Sequence, residues 1–375
     1  MDRDIFVSPR AAQRQEAVWT CIHNAVQGMV VDLIQRVLEW EQEAHLGAAW
    51  NQRSDARQGY RNGYRSRRLV TPYGPLDVKV PRCRDVGLDC SLLFDRYQRR
   101  VADVDRILLH AYLLGVSTRG TAELTEQVFG NLLSHQTVSQ LTRWLQEQLD
   151  LWRRQPIEPV YSVVYLDGMH VNARGGDRTV MLAAGQRENG TLEVLGFCLS
   201  TGEQCRSLLQ NLRDRGLENV RLFVSDESGA IRSALGEVYP EVAWQHCTFH
   251  RLSALREKVG PTDYRDLLLA EAACAFRCPS QRAAVDAAIA WAHRWAPVDA
   301  GAVRQFVEGL EDSLTFYHLP AEQWQRVRTN NPLERLIRTL RMRLDLMGCF
   351  YDEPAVERAV FGQLARWHLL GTYTQ

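Results

Sequence analysis

The chain of 375 residues predicts an α/β catalytic region interrupted by an all-helical segment and preceded by a mainly helical, basic region. Three observations predict it. Two short apolar runs, Val160–Leu166 and Val220–Ser225, each end abruptly in an acid, Asp167 and Asp226, as buried strands leading to a polar edge would. Ala-rich helical periodicity fills residues 261–320 between proline breaks. Before Pro156 the pattern is helical, and after Pro159 it changes to strands.

Composition bounds the class. A chain of this length exceeds one ordinary core and predicts two or three domains. With 45% apolar and 24% charged residues it reads as a soluble globular protein. The start Met1-Asp2-Arg3-Asp4 is too polar for a secretory signal, and the apolar stretch at Met29-Val30-Val31 is broken by Asp32 and Arg36. A cytoplasmic protein with no membrane span is expected. Nine scattered cysteines without a C-x-x-C pair predict reduced thiols. Net charge is zero, yet residues 51–100 hold twelve Lys or Arg against five acids, and Arg326, Arg328, Arg335, Arg338, Arg341 and Arg343 surround Glu334. Clustered arginine suits phosphate contact.

Residues 16–46 carry a helical apolar pattern through Val18, Ile22, Val26, Val30, Leu33 and Val37, stopping at Gly47. Gly59–Tyr64 reads as an aromatic and basic turn, and alternating Leu76, Val78 and Val80 predict a small hairpin. Arg61, Arg67 and Arg68 are candidate nucleic-acid contacts there. Residues 103–150 read as helical, with breaks at Gly115 and Gly130 and capping residues Ser117 and Ser134. The helix after Ser134 has polar residues first and Val138, Leu141 and Leu145 behind them, as a helix-turn-helix recognition helix does; Gln136 and Arg143 are its candidate base contacts. A plain helical hairpin fits the same pattern.

Beyond Pro159, strands over Val160–Leu166, Thr179–Ala184 and Leu192–Leu199 form a meander, with Asn189-Gly190 as a turn. A helix, the strand ending at Asp226, a helix, a strand over Val242–Trp244 and a helix from His250 follow. This order resembles the ribonuclease H-like fold, whose first and fourth strands lie side by side and present acids. Two carboxylates held together repel unless a hard divalent ion such as Mg²⁺ lies between them. The helical segment has Trp291, Trp295 and Phe306 on apolar faces. In Asn330-Asn331-Pro332-Leu333-Glu334, Asn331 can cap a helix with Pro332 first and Glu334 third, a capping-box pattern that accounts for Glu334 structurally. The pattern leaves the following arginine face, Arg335, Arg338 and Arg341, unexplained.

Taken in order, Gly59–Tyr64, Val80-Pro81-Arg82, Gly115–Arg119, Leu166-Asp167-Gly168, Arg215-Gly216-Leu217, Ser225-Asp226, Gln245–His250 and Thr329–Arg335 resemble the Mutator-like DDE transposases of bacterial insertion sequences over nearly the whole chain. The resemblance implies that Asp167, Asp226 and Glu334, spaced by 59 and 108 residues, are the catalytic, metal-binding triad. It implies Mg²⁺, or Mn²⁺ as a substitute, in two-metal phosphoryl transfer with the ions roughly 3.5 to 4 Å apart. It further implies double-stranded DNA, both element ends and target, as partner, and a homo-oligomer on that DNA. The implied domains are 1–100, an N-terminal helix and basic hairpin; 101–155, helix-turn-helix-like; 160–258, the first part of the core; 259–325, the helical insertion; and 326–375, the helices carrying the third acid. Ser253-Ala254 stands where the family usually has Arg-Asn, and the tryptophan expected after Gly202-Glu203 is missing. Cys247 and His250 match the family's Cys-x-x-His signature; a structural role beside the site is favoured over zinc, since only two ligands are present. The rival functional reading is a transposase-derived DNA-binding protein without catalytic activity; a nuclease or junction resolvase ranks lower.

Overall fold

The computed structural model describes residues 9–84, 93, 98–116, 120, 121, 123, 125, 126, 135–158, 160–199 and 202–368. The chain divides into two compact units, Met1–Thr142 and Arg143–Gln375.

In the first unit, α1 (Pro9–Leu46) starts earlier than the apolar pattern predicts and ends at Gly47, whose φ is +64°. Strands β1 (Tyr60–Thr71) and β2 (Gly74–Arg84) pair antiparallel. The predicted turn at Gly59–Tyr64 is instead the start of β1, with a bulge between Arg61 and Tyr64 where Gly63 adopts φ +68°. That backbone conformation is open to glycine at no steric penalty. The tight turn comes later, closed by the Thr71 hydroxyl donating to the Gly74 carbonyl at 2.9 Å. Alternation along β2 buries Leu76, Val78 and Val80 against Leu38 of α1 and Leu69 of β1, so one hairpin face is core and the other is surface. By length and composition α1 over Gln13–Leu46 could cross a membrane, against the expectation that no segment qualifies. Leu38 and Leu46 are nevertheless buried, and Gln42 donates to the Arg82 carbonyl at 3.1 Å, so its C-terminal half is a packing element of this unit. Helix α2 (Ala102–Leu113) follows. Ser117, Gly130 and Ser134, on which the helix-turn-helix reading leans, lie outside the described residues. Helix α3 (His135–Trp152) starts directly after Ser134.

The second unit holds a five-stranded mixed sheet in the order β5-β4-β3-β6-β7, made of β3 (Val163–Val171), β4 (Arg178–Gln186), β5 (Leu192–Leu199), β6 (Leu222–Ser225) and β7 (Ala243–His246). The first three form the expected antiparallel meander, and β6 and β7 add parallel to β3. Helices α4 (Gly202–Asp214) and α5 (Gly229–Val238) cover one face. There Leu208, Leu209, Leu212, Ile231 and Leu235 pack on Leu166, Ala183, Leu195 and Phe223.

Strand β3 differs from its prediction in both bounds. It begins at Val163 and passes through Asp167 to Val171. The physical reason is unequal partners: β4 pairs with it over nine residues, from Val163↔Gln186 to Val171↔Arg178, whereas β6 pairs over three and ends at Tyr165↔Val224. Asp167 therefore sits inside the strand, just past the point where its shorter neighbour stops.

From α6 (Thr248–Val259) the chain is helical through α7 (Arg265–Cys274), α8 (Gln281–Trp295) and α9 (Ala300–Val307), then α10 (Trp324–Val327), α11 (Asn331–Leu346) and α12 (Glu353–Arg366). Ser280 and Asp299 cap α8 and α9 by accepting from Ala283 and Ala302. Trp291, Trp295 and Phe306 are buried as their periodicity predicts, with the Trp291 and Phe306 rings 4.7 Å apart. A buried arginine with no local pattern to mark it ties this segment down. Arg251 of α6 donates to the carbonyls of Phe306, Glu308 and Gly309 and to the Ser313 hydroxyl at 2.6–3.1 Å. Arg251→Met should lower unfolding stability by about 3 kcal/mol, because several buried carbonyls lose their donor at about 1–3 kcal/mol each. A urea midpoint matching the wild type would show that these bonds contribute nothing net.

Candidate active site

The site is built by register. In the parallel pair, Val163 faces Leu222 and Tyr165 faces Val224, so residues 59 apart lie side by side. Asp167 and Asp226 continue that register two residues past the last paired position. Asp226 follows β6 directly and its carboxylate accepts from the Ser228 N–H at 3.3 Å, which turns the chain into α5. Asp167 is 7% exposed, and its Oδ1 accepts from the Gly168 N–H at 2.8 Å. Burial raises its carboxyl to about 6; the Gly168 bond and Arg341 oppose the rise, while the Asp226 charge adds to it.

Glu334 arrives from α11. Leu333, Ile337, Leu340 and Leu344 form the buried stripe of that helix, which leaves Glu334, Arg338 and Arg341 along another side, as their spacing predicts. Burial raises the Glu334 carboxyl above its usual range; the Asp167 charge adds to this, and His250 and Arg338 oppose it. Asp167 thus stands between the other two acids electrostatically, raised by the Asp226 charge and itself raising Glu334, and Arg341 and Arg338 of α11 oppose the two rises.

The helix start corrects the sequence reading. Asn330, not Asn331, is the N-cap position, so Glu334 falls fourth rather than third. No capping box forms. The Asn330 N–H, which such a box would satisfy with the glutamate, donates to Cys247 Sγ at 3.3 Å, and the Asn330 side chain donates to the Leu166 carbonyl at 3.1 Å. Asn330 is fully buried and fastens the start of α11 to the residue before Asp167. The capping pattern read from the sequence names Asn331 alone as the cap and gives Asn330 no role.

Cys247 and His250 stand beside Glu334. The Cys247 N–H donates to the Ser225 carbonyl at 2.8 Å, locking the N-terminus of α6 to the end of β6. Cys247 is fully buried, and burial pushes its thiol up to about 11 against the nearby backbone N–H groups. His250 Nε2 lies 3.9 Å from Glu334 Oε1. His246, also buried, is pushed down to about 3 by burial and by Arg251, whose Nη2 lies 3.1 Å from its Nδ1.

Arg61 is half-buried, donates to the Ala48 and Ala49 carbonyls and stacks on Trp50 at 5.4 Å. Arg67 donates to the Gln98 carbonyl, and Arg68 makes a bidentate pair with Asp77 at 2.8 and 2.9 Å. Those three cations have partners within their own unit. Gln136, Arg143, Arg335, Arg338 and Arg341 are exposed at helix surfaces. A groove of about 1030 Å³ lined by Tyr161, Gln186, Arg187, Asn189, Arg221 and Arg326 contains the opposite end of β3 and none of the acids.

Fold and site together define a class: mixed α/β proteins with acids at the ends of two neighbouring parallel strands and a third acid on a later helix. The family follows from comparison. The profile described as "Transposase, Mutator family" matches residues 4–368, and the chain belongs to that family. It is 31% identical over 346 residues to the transposase for insertion sequence element ISRM5 of Rhizobium meliloti, covering 90% of this chain and 86% of that one. Against the IS1081 transposase of Mycobacterium tuberculosis it is 29% identical, covering 92% and 85%. Against the IS256 transposase in transposon Tn4001 of Staphylococcus aureus it is 26% identical, covering 91% and 90%.

Proposed function

We propose that this transposase binds the terminal inverted repeats of its element and catalyses metal-dependent strand cleavage and strand transfer by a DDE mechanism, with Asp167, Asp226 and Glu334 as the ligands of Mg²⁺. The observation that carries the reading is the shared register of Asp167 and Asp226 at the end of the β3–β6 pair, with the Asp167 charge acting on Glu334. The strand order β5-β4-β3-β6-β7 supports a ribonuclease H-like core, and the strand-free stretch between β7 and α11 supports a helical insertion within it. The residues fit the ion: Asp167 is repelled by Asp226, itself repels Glu334 and is raised to about 6, so a cation beside it would relieve that repulsion.

Divalent ions held there supply the charge that lowers the pKa of a water or a 3′-hydroxyl and stabilises the departing oxygen. The chain's own residues do the rest. Gly168 and Asn330 fix Asp167 and the start of α11, so the carboxylates stand preorganised. Arg338 and Arg341 border the acids and are placed to hold the phosphates on either side of the scissile bond.

Incubating the full chain with Mg²⁺ and duplex DNA carrying the element's own ends should release strands cut at those ends. Intact DNA under conditions where the protein binds it would support the non-catalytic reading. For end recognition, Gln136→Ala or Arg143→Ala should weaken binding to the cognate end by about 1–3 kcal/mol. An equal loss on random duplex would reassign the residue to phosphate contact.

A further inference from the structure

We propose that Cys247, His250 and Glu334 form a site for a soft divalent cation of the Zn²⁺ class, and that this site shares Glu334 with the aspartate pair. The site stands on its own geometry; the sharing rests on the role proposed above for Glu334.

One ligand atom from each of the three residues lies within 4.8 Å of the other two. Cys247 is fully buried at the N-cap position of α6. His250 follows three residues later on the same first turn, and Glu334 comes from the first turn of α11. Nδ1 of His250 and Oε1 of Glu334 are buried without a hydrogen-bond partner. The two side chains do not satisfy each other, since 3.9 Å between Nε2 and Oε1 is too long for a hydrogen bond. Two orphaned polar atoms beside a buried thiol are costly to leave alone, at about 1–3 kcal/mol each, and a cation would satisfy them together.

The donor set selects the ion. Thiolate and imidazole suit Zn²⁺, whereas Mg²⁺ takes oxygen ligands. A tetrahedral ion with bonds of about 2.0–2.3 Å holds its ligands about 3.5 Å apart, so the three atoms need to draw in by about 1 Å, within reach of side-chain rotation. Binding displaces the Cys247 thiol proton to solvent. Three protein ligands leave the fourth position open to water. With the ion in place, the Glu334 carboxylate is directed to Cys247 and His250 rather than to Asp167 and Asp226, so occupancy by Zn²⁺ and strand cleavage with Mg²⁺ exclude each other.

The test titrates the chelator-stripped full chain with Co²⁺ and then Zn²⁺. Expected are one Co²⁺ per chain, a near-ultraviolet thiolate-to-cobalt absorption band, and its loss on adding equimolar Zn²⁺. His250→Gln and Glu334→Gln should each weaken binding by about tenfold or more, and Cys247→Ser should abolish the band. Asp167→Asn should leave it unchanged. No band in the wild type, or undiminished affinity in His250→Gln, would overturn the site without touching the proposed chemistry. Loss of binding in Asp167→Asn would place the ion on the aspartates and overturn it too. Because Cys247 is buried and its serine variant can misfold, the wild-type band and the partly exposed His250 carry the decision.

Discussion

Asp167→Asn and Asp226→Asn should each lower metal-dependent strand cleavage by about a thousandfold or more, while DNA binding stays within about twofold of wild type. Removing one carboxylate withdraws several kcal/mol of transition-state charge stabilisation from the ions, and each 1.36 kcal/mol is tenfold in rate. The Asp167 variant carries a second signature. Its carboxyl is raised to about 6 in the folded chain, against about 3.9 when unfolded. Folding then favours the protonated form: the penalty is absent below about pH 4, grows between the two values, and is complete above about pH 6. Asn removes it. The metal-free variant should therefore be more stable than wild type at pH 7 by about 2 to 3 kcal/mol, with the gain vanishing near pH 4. The same sign predicts that Mg²⁺ binding weakens below pH 6, by up to about tenfold per pH unit for one displaced proton. Thermal midpoints at pH 4 and 7 and cleavage rates from pH 5 to 8 check both halves. An Asn variant no more stable at pH 7 than at pH 4, relative to wild type, would mean that Asp167 is better solvated than its burial implies.

Much of this was legible in the sequence because it rests on local pattern. Apolar runs ending in acids marked the two strands, and their side-by-side placement was expected from the resemblance of the strand order to a ribonuclease H-like fold. The stripe Leu333, Ile337, Leu340 and Leu344 placed Arg338 and Arg341 on the outer side of α11. The misreadings have a common cause, which is a partner distant in sequence. Val160–Leu166 looked like a strand that stops at its acid, but the pairing of β4 carries β3 on to Val171. Asn331 looked like the cap because it precedes a proline, yet the long-range bonds of Asn330 to Leu166 and Cys247 decide where the helix begins. Charge counting found the arginines of the hairpin without revealing that Arg61 is bound to the end of α1 or that Arg68 faces Asp77. Arg251, which fixes the helical segment, carried no local signal: its acceptors lie 55–62 residues away.

Glu334→Gln is the substitution on which the triad turns. As the third residue of a capping box, glutamate and glutamine would serve nearly alike, and cleavage would survive the change. The structure removes that account. Glu334 is the fourth residue after the cap position of α11, the Asn330 N–H it would have to receive is already donated to Cys247, and its own Oε1 has no hydrogen-bond partner. What remains for the carboxylate is its charge, placed where it feels Asp167 and Arg338. Gln keeps the shape and deletes the charge. Folding stability should stay equal or rise slightly, because burial already disfavours the ionised glutamate. Strand cleavage and strand transfer with Mg²⁺ should fall by about a thousandfold, with end binding retained. The decisive comparison is cleavage rate against thermal midpoint in one preparation. A glutamine variant that folds like wild type and cuts within tenfold of its rate would take Glu334 out of the catalytic set and leave two aspartates without a third ligand.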